Sequence, residues 1–474
     1  MLELDDLVIG AGQAGVPLAG KLAAAGRRVG LAERKHLGGS CVNFGCTPSK
    51  AVHASAKLAY EARDLAGELG IRVGSVEADY PAVIRRARAV VQASVRALNA
   101  KFNPEDENPF LLRGHARFTG RAGDGFEVRI TPMNGDGRQD AAVQTVRADR
   151  VVLDTGTRVK VPPIAGCDDV GFICPDTWLN EEILPGHLLL VGAGYIGLEM
   201  SQFYRRMGAK VTVVDPRQQV AIEQDKPLAD ELMGYLADEG VTFILGQKVE
   251  RVDQAPPGLR AHLSDGRTID ADKLFLATGR KPNTDDLGLE TIGLEPNEDG
   301  TIPIDERMQT PVENVYAVGD IRGGPMFTHT SHEDNHVLEN HFLGDGTYTY
   351  GDRIVPYAVF TDPEMGHVGL SETAAREAGF DVAVGRMPVK QNGRHYQVGQ
   401  TRGTVQLVVD RQTRRLLGAT CLCDGGGEIV HAAVDWMHSR ATLDDIYHRT
   451  YIHPTYHEAI KSVADQLRKE LNEQ

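Results

Sequence analysis

Lysine and arginine form no block in this sequence, and aspartate and glutamate outnumber them 66 to 51, leaving a formal charge of −15. A surface of that sign works against nucleic acid and anionic membranes as partners. No apolar run reaches the ~20 residues of a bilayer span. The opening residues pass straight into an apolar strand pattern, with neither a basic n-region nor a cleavage site, so no export or organellar signal is expected and a cytoplasmic protein is. Cysteine is scarce: six in 474 residues is too few for a secreted disulfide framework. The length exceeds one ordinary hydrophobic core, which predicts about two to four domains.

What is present begins with an internal echo. Leu7-Val8-Ile9 opens into Gly10-Ala11-Gly12-Gln13-Ala14-Gly15, continues with helical periodicity to about Ala25, and returns through Val29 to Ala32 and Glu33. Leu188 to Val191 opens into Gly192-Ala193-Gly194-Tyr195-Ile196-Gly197, continues helically to about Met207, and returns through Val211 to Val214 and Asp215. In both units the first glycine lies 23 positions before the acid. The first glycine permits a tight strand-to-helix turn, the second lets backbone approach a pyrophosphate, and the third lets helix and strand pack closely. Amides at the helix N-terminus hold the pyrophosphate, and the acid accepts from a ribose diol. A single such motif is weak, because glycine-rich turns are common. Two copies, each with strand, helix, strand and acid in order, predict two dinucleotide-binding units in one chain.

Each unit closes on an apolar strand, a Thr-Gly turn and a proline-marked exit: RVVLDTGTRVKVPP from Arg150 and KLFLATGRKP from Lys273. NVYAVGDIRGG adds a strand ending at Gly319-Asp320, and from about Tyr350 alternating strands lead into a helix-rich tail. The expected division is 1–154 with 283–349, then 155–282, then 350–474. Cys167, Cys174, Cys421 and Cys423 suit small buried or loop thiols. Cys41 and Cys46 do not. They flank four residues between a strand and a helix, at a separation that a disulfide can bridge, and so short a loop adds little stability. Redox chemistry is the better account of them.

With GGSCVNFGCTPSK between the first GAGxAG and GAGYIGLE, and ATGRKPN, YAVGD, FTDPE and HPTYHE following in order, the chain closely resembles the class I pyridine nucleotide-disulfide oxidoreductases. That is the family of glutathione reductase, dihydrolipoamide dehydrogenase and mercuric reductase. The resemblance spans nearly the whole chain and implies an α/β fold: two Rossmann-like domains, for FAD and NAD(P), plus a C-terminal α+β dimerisation domain. It implies that Cys46 is the thiol nearest the flavin and Cys41 the interchange thiol, that Lys50 approaches the flavin and pairs with Glu199, and that His453 and Glu458 form an acid–base pair. In the family this pair comes from the partner subunit, which implies a homodimer with a composite active site. FAD is expected on Gly10, Gly12, Gly15, Glu33, Lys50, Gly114, Thr155, Gly156 and Asp320. NAD(H), favoured over NADP(H) because Asp215 repels a 2′-phosphate, is expected on Gly192, Gly194, Tyr195, Gly197, Asp215 and Gly279. Arg217, two residues past Asp215, softens that discrimination.

Two branches compete for the substrate. Gly324-Pro325-Met326-Phe327-Thr328-His329 partly matches a dihydrolipoamide dehydrogenase pattern, whereas GGSCVNFGCTPSK and FTDPEMGHVGL look as much like the mercuric-reductase-like branch. Mercuric reductases carry a C-terminal cysteine pair, and the tail KSVADQLRKELNEQ has none. The expected substrate is therefore a small dithiol or disulfide of the dihydrolipoamide type, with metal-ion (mercuric or cupric) reduction as the alternative. A non-catalytic flavin scaffold is disfavoured by the joint retention of Cys41, Cys46, Lys50, Glu199, His453 and Glu458. His329, His332, His336 and His341 cluster in FTHTSHEDNHVLENHF. Histidines four apart without a supporting ligand are commonly packing or surface residues, so no metal is expected.

Overall fold

In the computed structural model, which describes residues 1–102, 108–133 and 143–473, both strands that lead into a glycine motif are paired in parallel on each side. Leu2–Ile9 is flanked by Val29–Glu33 and Gln144–Leu153, and Leu7 and Val8 are fully buried. A strand covered on both faces reads as a continuous apolar run, and this one does. Phe110–Arg113 extends the sheet beyond Val29–Glu33, and Val315–Ala317 pairs with the C-terminal half of Gln144–Leu153. The N-terminal half of that long strand instead pairs antiparallel with Gly125–Thr131, which turns back onto His115–Ala122.

The second unit repeats the parallel theme in the order 241–245, 210–215, 187–191, 273–276. A three-stranded antiparallel sheet, Val249–Ala255, Gly258–Leu263 and Thr268–Ala271, follows its outer strand. Helices Gly15–Ala24 and Tyr195–Met207 occupy the spans that apolar periodicity marks out. Thr157–Val159 and Arg280–Pro282 pair antiparallel, so the chain enters and leaves the second unit side by side.

The last unit is a five-stranded antiparallel sheet, ordered 357–359, 364–369, 416–423, 404–410, 382–388. Helix Glu458–Glu473 packs on it through Ile460, Val463 and Leu467, all fully buried. An ionic cluster joins this sheet to the second unit. Arg206 reaches Glu239 at 2.7 Å and Asp362 at 2.8 Å, and Arg402 reaches the same Glu239 at 2.9 Å. The Arg206 guanidinium lies 4.0 Å from the Tyr60 ring centroid, at the end of helix Cys46–Tyr60. Removing one partner of so buried a set strands a charge, at a cost of ~3–5 kcal/mol. The cluster therefore fixes the helix that begins at Cys46. No described helix is long and apolar enough to cross a membrane.

Candidate active site

Ligands of open parallel sheets gather at the carboxyl ends of the strands. Gly10, Glu33, Gly114, Asp154-Thr155-Gly156 and Gly319-Asp320 all stand there in the first sheet, as do Gly192, Asp215 and Gly279 in the second. One cleft of about 2200 Å³ runs past both sets and past Cys41, Cys46, Lys50, Tyr195 and Glu199. Gly15 and Gly197 stand behind the cleft wall as the close-packing glycines. A Cβ on Gly15 would meet the Gly10 carbonyl at 2.3 Å, and one on Gly197 the Gly192 carbonyl at 2.0 Å. The chain itself demands these glycines. A Cβ on Gly194 would meet nothing within 4 Å, so the middle position of the second motif leaves the approach to the backbone open. The volume and the two cradles fit FAD and a pyridine nucleotide together.

Glu33 accepts the Ala11 N–H at 2.9 Å, which ties the acid of the first motif to its own glycine loop. Asp320 accepts the Thr157 hydroxyl at 2.9 Å, and its burial pushes its carboxyl above the usual range. In the second unit Asp215 is 1% exposed and accepts the Ala193 N–H at 2.7 Å. Arg217 grips both oxygens of that carboxylate, through Nε at 3.0 Å and Nη2 at 2.9 Å. Burial raises the Asp215 carboxyl, but the bonds from Arg217 and the Ala193 N–H outweigh it and leave the group below the usual range.

Gly38 and Gly39, at φ of 87° and 62°, turn the chain into the short helix Gly39–Asn43 that carries Cys41. Left-handed backbone of this kind is costly for any residue but glycine. Asn43 donates to the carbonyls of Leu37 and Gly39, and Trp178 donates to that of Phe44 at 2.8 Å, holding the loop. Cys46 then opens helix Cys46–Tyr60, where the dipole favours a thiolate. Both thiols are free. Donation from the Cys41 thiol lowers Cys46 to about 6; burial opposes this, while the Thr328 hydroxyl and the Lys50 cation assist. The same contact, with burial, raises Cys41 above the ordinary thiol range. Lys50 bonds Glu199 at 2.8 Å and lies 4.2 Å from the Phe360 ring centroid. Burial pushes Glu199 up, and Lys50 and His53 more than reverse it, to about 2.

His453 and Glu458 meet, Nδ1 standing 3.1 and 3.2 Å from the two carboxylate oxygens. Burial raises Glu458, but the Thr455 N–H and His453 outweigh it and hold the carboxylate low. The His453 side chain is 74% exposed, and neither residue lines the cleft of its own chain.

Four features escape the sequence reading. Thr328 places its hydroxyl 3.2 Å from the Cys46 sulfur across 282 residues of chain. His53, one turn beyond Lys50, sits 3.5 Å from Glu199. Tyr195 stacks on Tyr357, Tyr357 on Phe327 and Phe327 on His329, at centroid separations of 5.3, 5.3 and 5.4 Å. Asp154, 6% exposed, accepts the Gly15 N–H at 2.7 Å and would crowd a Cβ on Gly12. An acid inside the apolar run RVVLDTG was the visible signal for this last one.

Burial first, and then the nearby charges of Asp320 and Asp334, raise Asp154 well above the carboxylate range, against the bonds from Gly15 and Gly12. A carboxyl biased toward its protonated form would add less repulsion toward an anionic cofactor than an ordinary aspartate, and ionisation would restore it. Retention of FAD is therefore expected to weaken as pH rises through the elevated Asp154 pKa, and to lose that dependence in Asp154→Asn. Free-flavin fluorescence against pH checks this.

A family model described as pyridine nucleotide-disulphide oxidoreductase matches residues 5–334, and the dimerisation domain of the same family matches 355–464. The chain belongs to this family. The enzyme is an FAD-dependent pyridine nucleotide-disulfide oxidoreductase. It is 31% identical to a mitochondrial dihydrolipoyl dehydrogenase 2 of Arabidopsis thaliana, over 97% of this chain and 89% of that one. It is also 31% identical to a probable pyridine nucleotide-disulfide oxidoreductase, RclA, of Escherichia coli, over 98% and 99%. The Cu(II) complex of the HOCl-induced flavoprotein disulfide reductase RclA superposes with a TM-score of 0.89 at 30% identity, covering 98% of this chain and all of that one. The matched dimerisation domain contains His453 and Glu458 and supports a homodimer.

Proposed function

We propose that this oxidoreductase is a cytoplasmic homodimer that moves electrons between NAD(H) and a small dithiol or disulfide of the dihydrolipoamide type, through Cys41 and Cys46. FAD, when bound, carries the electron pair between nicotinamide and the cysteine pair. The observation that carries the reading is the unequal placement of the two thiols: Cys46 begins helix Cys46–Tyr60 with the Thr328 hydroxyl 3.2 Å from its sulfur, whereas Cys41 lies on the short helix before it. That placement favours the thiolate at Cys46 and the proton at Cys41, which then needs a base before it can exchange. The His453–Glu458 pair supplies such a base, and its exposure away from its own cleft suits a role in the partner's site.

In this reading a substrate dithiol transfers two electrons to the Cys41–Cys46 disulfide. The cysteine S–S bond breaks as the substrate S–S bond forms, one proton stays on Cys41, the other passes to the partner's His453, and Cys46 is left as thiolate. In this proposal 1–154 with 283–349 bind FAD, 155–282 the nucleotide, and 350–474 form the interface.

The resemblance to a protein solved as a Cu(II) complex favours metal-ion reduction as a second reading. Side-by-side turnover with NAD(H) separates them. Cys41-dependent turnover of lipoamide or dihydrolipoamide is expected. Negligible turnover of both, alongside rapid Cys41-dependent reduction of Hg(II) or Cu(II), would transfer the case to the second reading.

The nucleotide preference follows from Asp215 and is narrowed by Arg217, which neutralises that carboxylate and stands ready for a 2′-phosphate. NADH is expected to be favoured. Arg217→Ala should widen the ratio of kcat/KM values by about tenfold, the worth of one charge-assisted hydrogen bond. A wild-type ratio favouring NADPH, or a ratio indifferent to Arg217, would contradict this.

A further inference from the structure

The helix that begins with Thr328, against the Cys46 sulfur, runs to Leu343 and carries all four clustered histidines. Two of them are committed elsewhere. His329 Nε2 bonds the Pro356 carbonyl at 2.7 Å, and His341 is packed against Tyr316 and Phe342. His332 and His336 remain, four apart and therefore on one helix face, with ring centroids 5.3 Å apart. Spacing alone left this pair without a third ligand. The fold provides one in Glu333: a carboxylate oxygen and one nitrogen from each ring all lie within 4.8 Å of one another.

We propose that His332, Glu333 and His336 bind one borderline divalent cation, with Cu(II) the best match, beside the dithiol cleft. Ligands at about 2.0–2.2 Å from an ion stand roughly 3 Å from each other, so small side-chain rotations close the site. His332 is exposed and the other two are half-buried, which leaves room for those rotations and for entry from solvent. Two imidazoles and one carboxylate suit copper, nickel and zinc and do not suit magnesium or calcium, which take all-oxygen shells. Within the first group the affinity order places Cu(II) first. Three ligands from consecutive turns of one helix leave further coordination positions for water or an exchangeable ligand. Glu333 also lines the cleft that Cys41 and Cys46 line, so the ion would be held at its wall by the helix whose first residue, Thr328, meets the Cys46 sulfur. This site is independent of which substrate the dithiol serves.

The test titrates the oxidised holoenzyme with Cu(II), the Cys41–Cys46 disulfide keeping those thiols out of competition, and follows the ion by electron paramagnetic resonance. About one equivalent per chain is expected, with hyperfine structure from two imidazole nitrogens. The double variant His332→Ala/His336→Ala should lose that equivalent while retaining FAD and its reduction by pyridine nucleotide. Glu333→Gln should keep the two-nitrogen signal and bind about tenfold more weakly. Failure of the wild type to take up the ion, an unchanged signal in the double variant, or an unchanged affinity in Glu333→Gln would each overturn the proposed ligand set.

Discussion

Replacing Cys46 with serine is expected to abolish the long-wavelength absorbance of the two-electron-reduced enzyme and to cut turnover by about 10³-fold or more, whereas Cys41→Ser should abolish turnover and keep the absorbance. The asymmetry comes from position. Cys46 heads a 15-residue helix and receives hydrogen bonds from the Cys41 thiol and the Thr328 hydroxyl, with the Lys50 cation nearby. A sulfur so placed is a thiolate that can donate charge to FAD. Cys41 lies outside that helix and keeps its proton. Acid should bleach the band of the wild-type enzyme with a midpoint near the value of about 6 for Cys46, because protonation removes the donor. Thr328→Val, which deletes one of the bonds favouring the anion, should move that midpoint upward. Persistence of the band in Cys46→Ser with its loss in Cys41→Ser would reverse the two assignments.

The second large effect concerns the tail. His453→Ala is expected to lower turnover by about 10²–10⁴-fold, the usual worth of a positioned acid–base group, without loss of FAD. Glu458 orients the imidazole through Nδ1 and leaves Nε2 free for the proposed proton exchange with the interchange thiol. Since neither residue lines its own cleft, the deficit should be complemented between subunits. A mixed dimer of Cys41→Ser and His453→Ala chains has one doubly defective site and one intact site, so activity should return on mixing. A fully active monomer in sedimentation, or no recovery in mixed dimers, would remove the composite site.

Much of this arrangement was legible in the sequence because it is dictated locally. A glycine that turns a strand into a helix, and an acid 23 residues later, define a strand–helix–strand unit without reference to the rest of the chain. The thiol pair was legible as lying between a strand and a helix, but that the helix begins at Cys46 itself is seen only in the fold. The Lys50–Glu199 and His453–Glu458 pairs came from family likeness, and in both the side chains meet. What stayed hidden depends on contacts between distant segments. Thr328 approaches Cys46 only because one helix of the first unit ends its loop over the dithiol. Asp154 looks like an ordinary turn acid until the sheet buries it between two glycine turns. The meander of Gly125–Thr131 with His115–Ala122 and the small sheet of Val249–Leu263 carry no nucleotide motif, and nothing in their spacing sets them apart from loop-bounded strands elsewhere. Arg217 was visible as a neighbour of Asp215, but its two-point grip on that carboxylate required the backbone between them to turn.

A Cys41–Cys46 disulfide in series with FAD makes a second two-electron centre, which anaerobic reductive titration counts. Uptake of about four electrons per subunit is expected, two for FAD and two for the disulfide, with the long-wavelength band rising over the first pair and fading over the second. Uptake of about two electrons, with bleaching of the flavin from the outset and no such band, would contradict it.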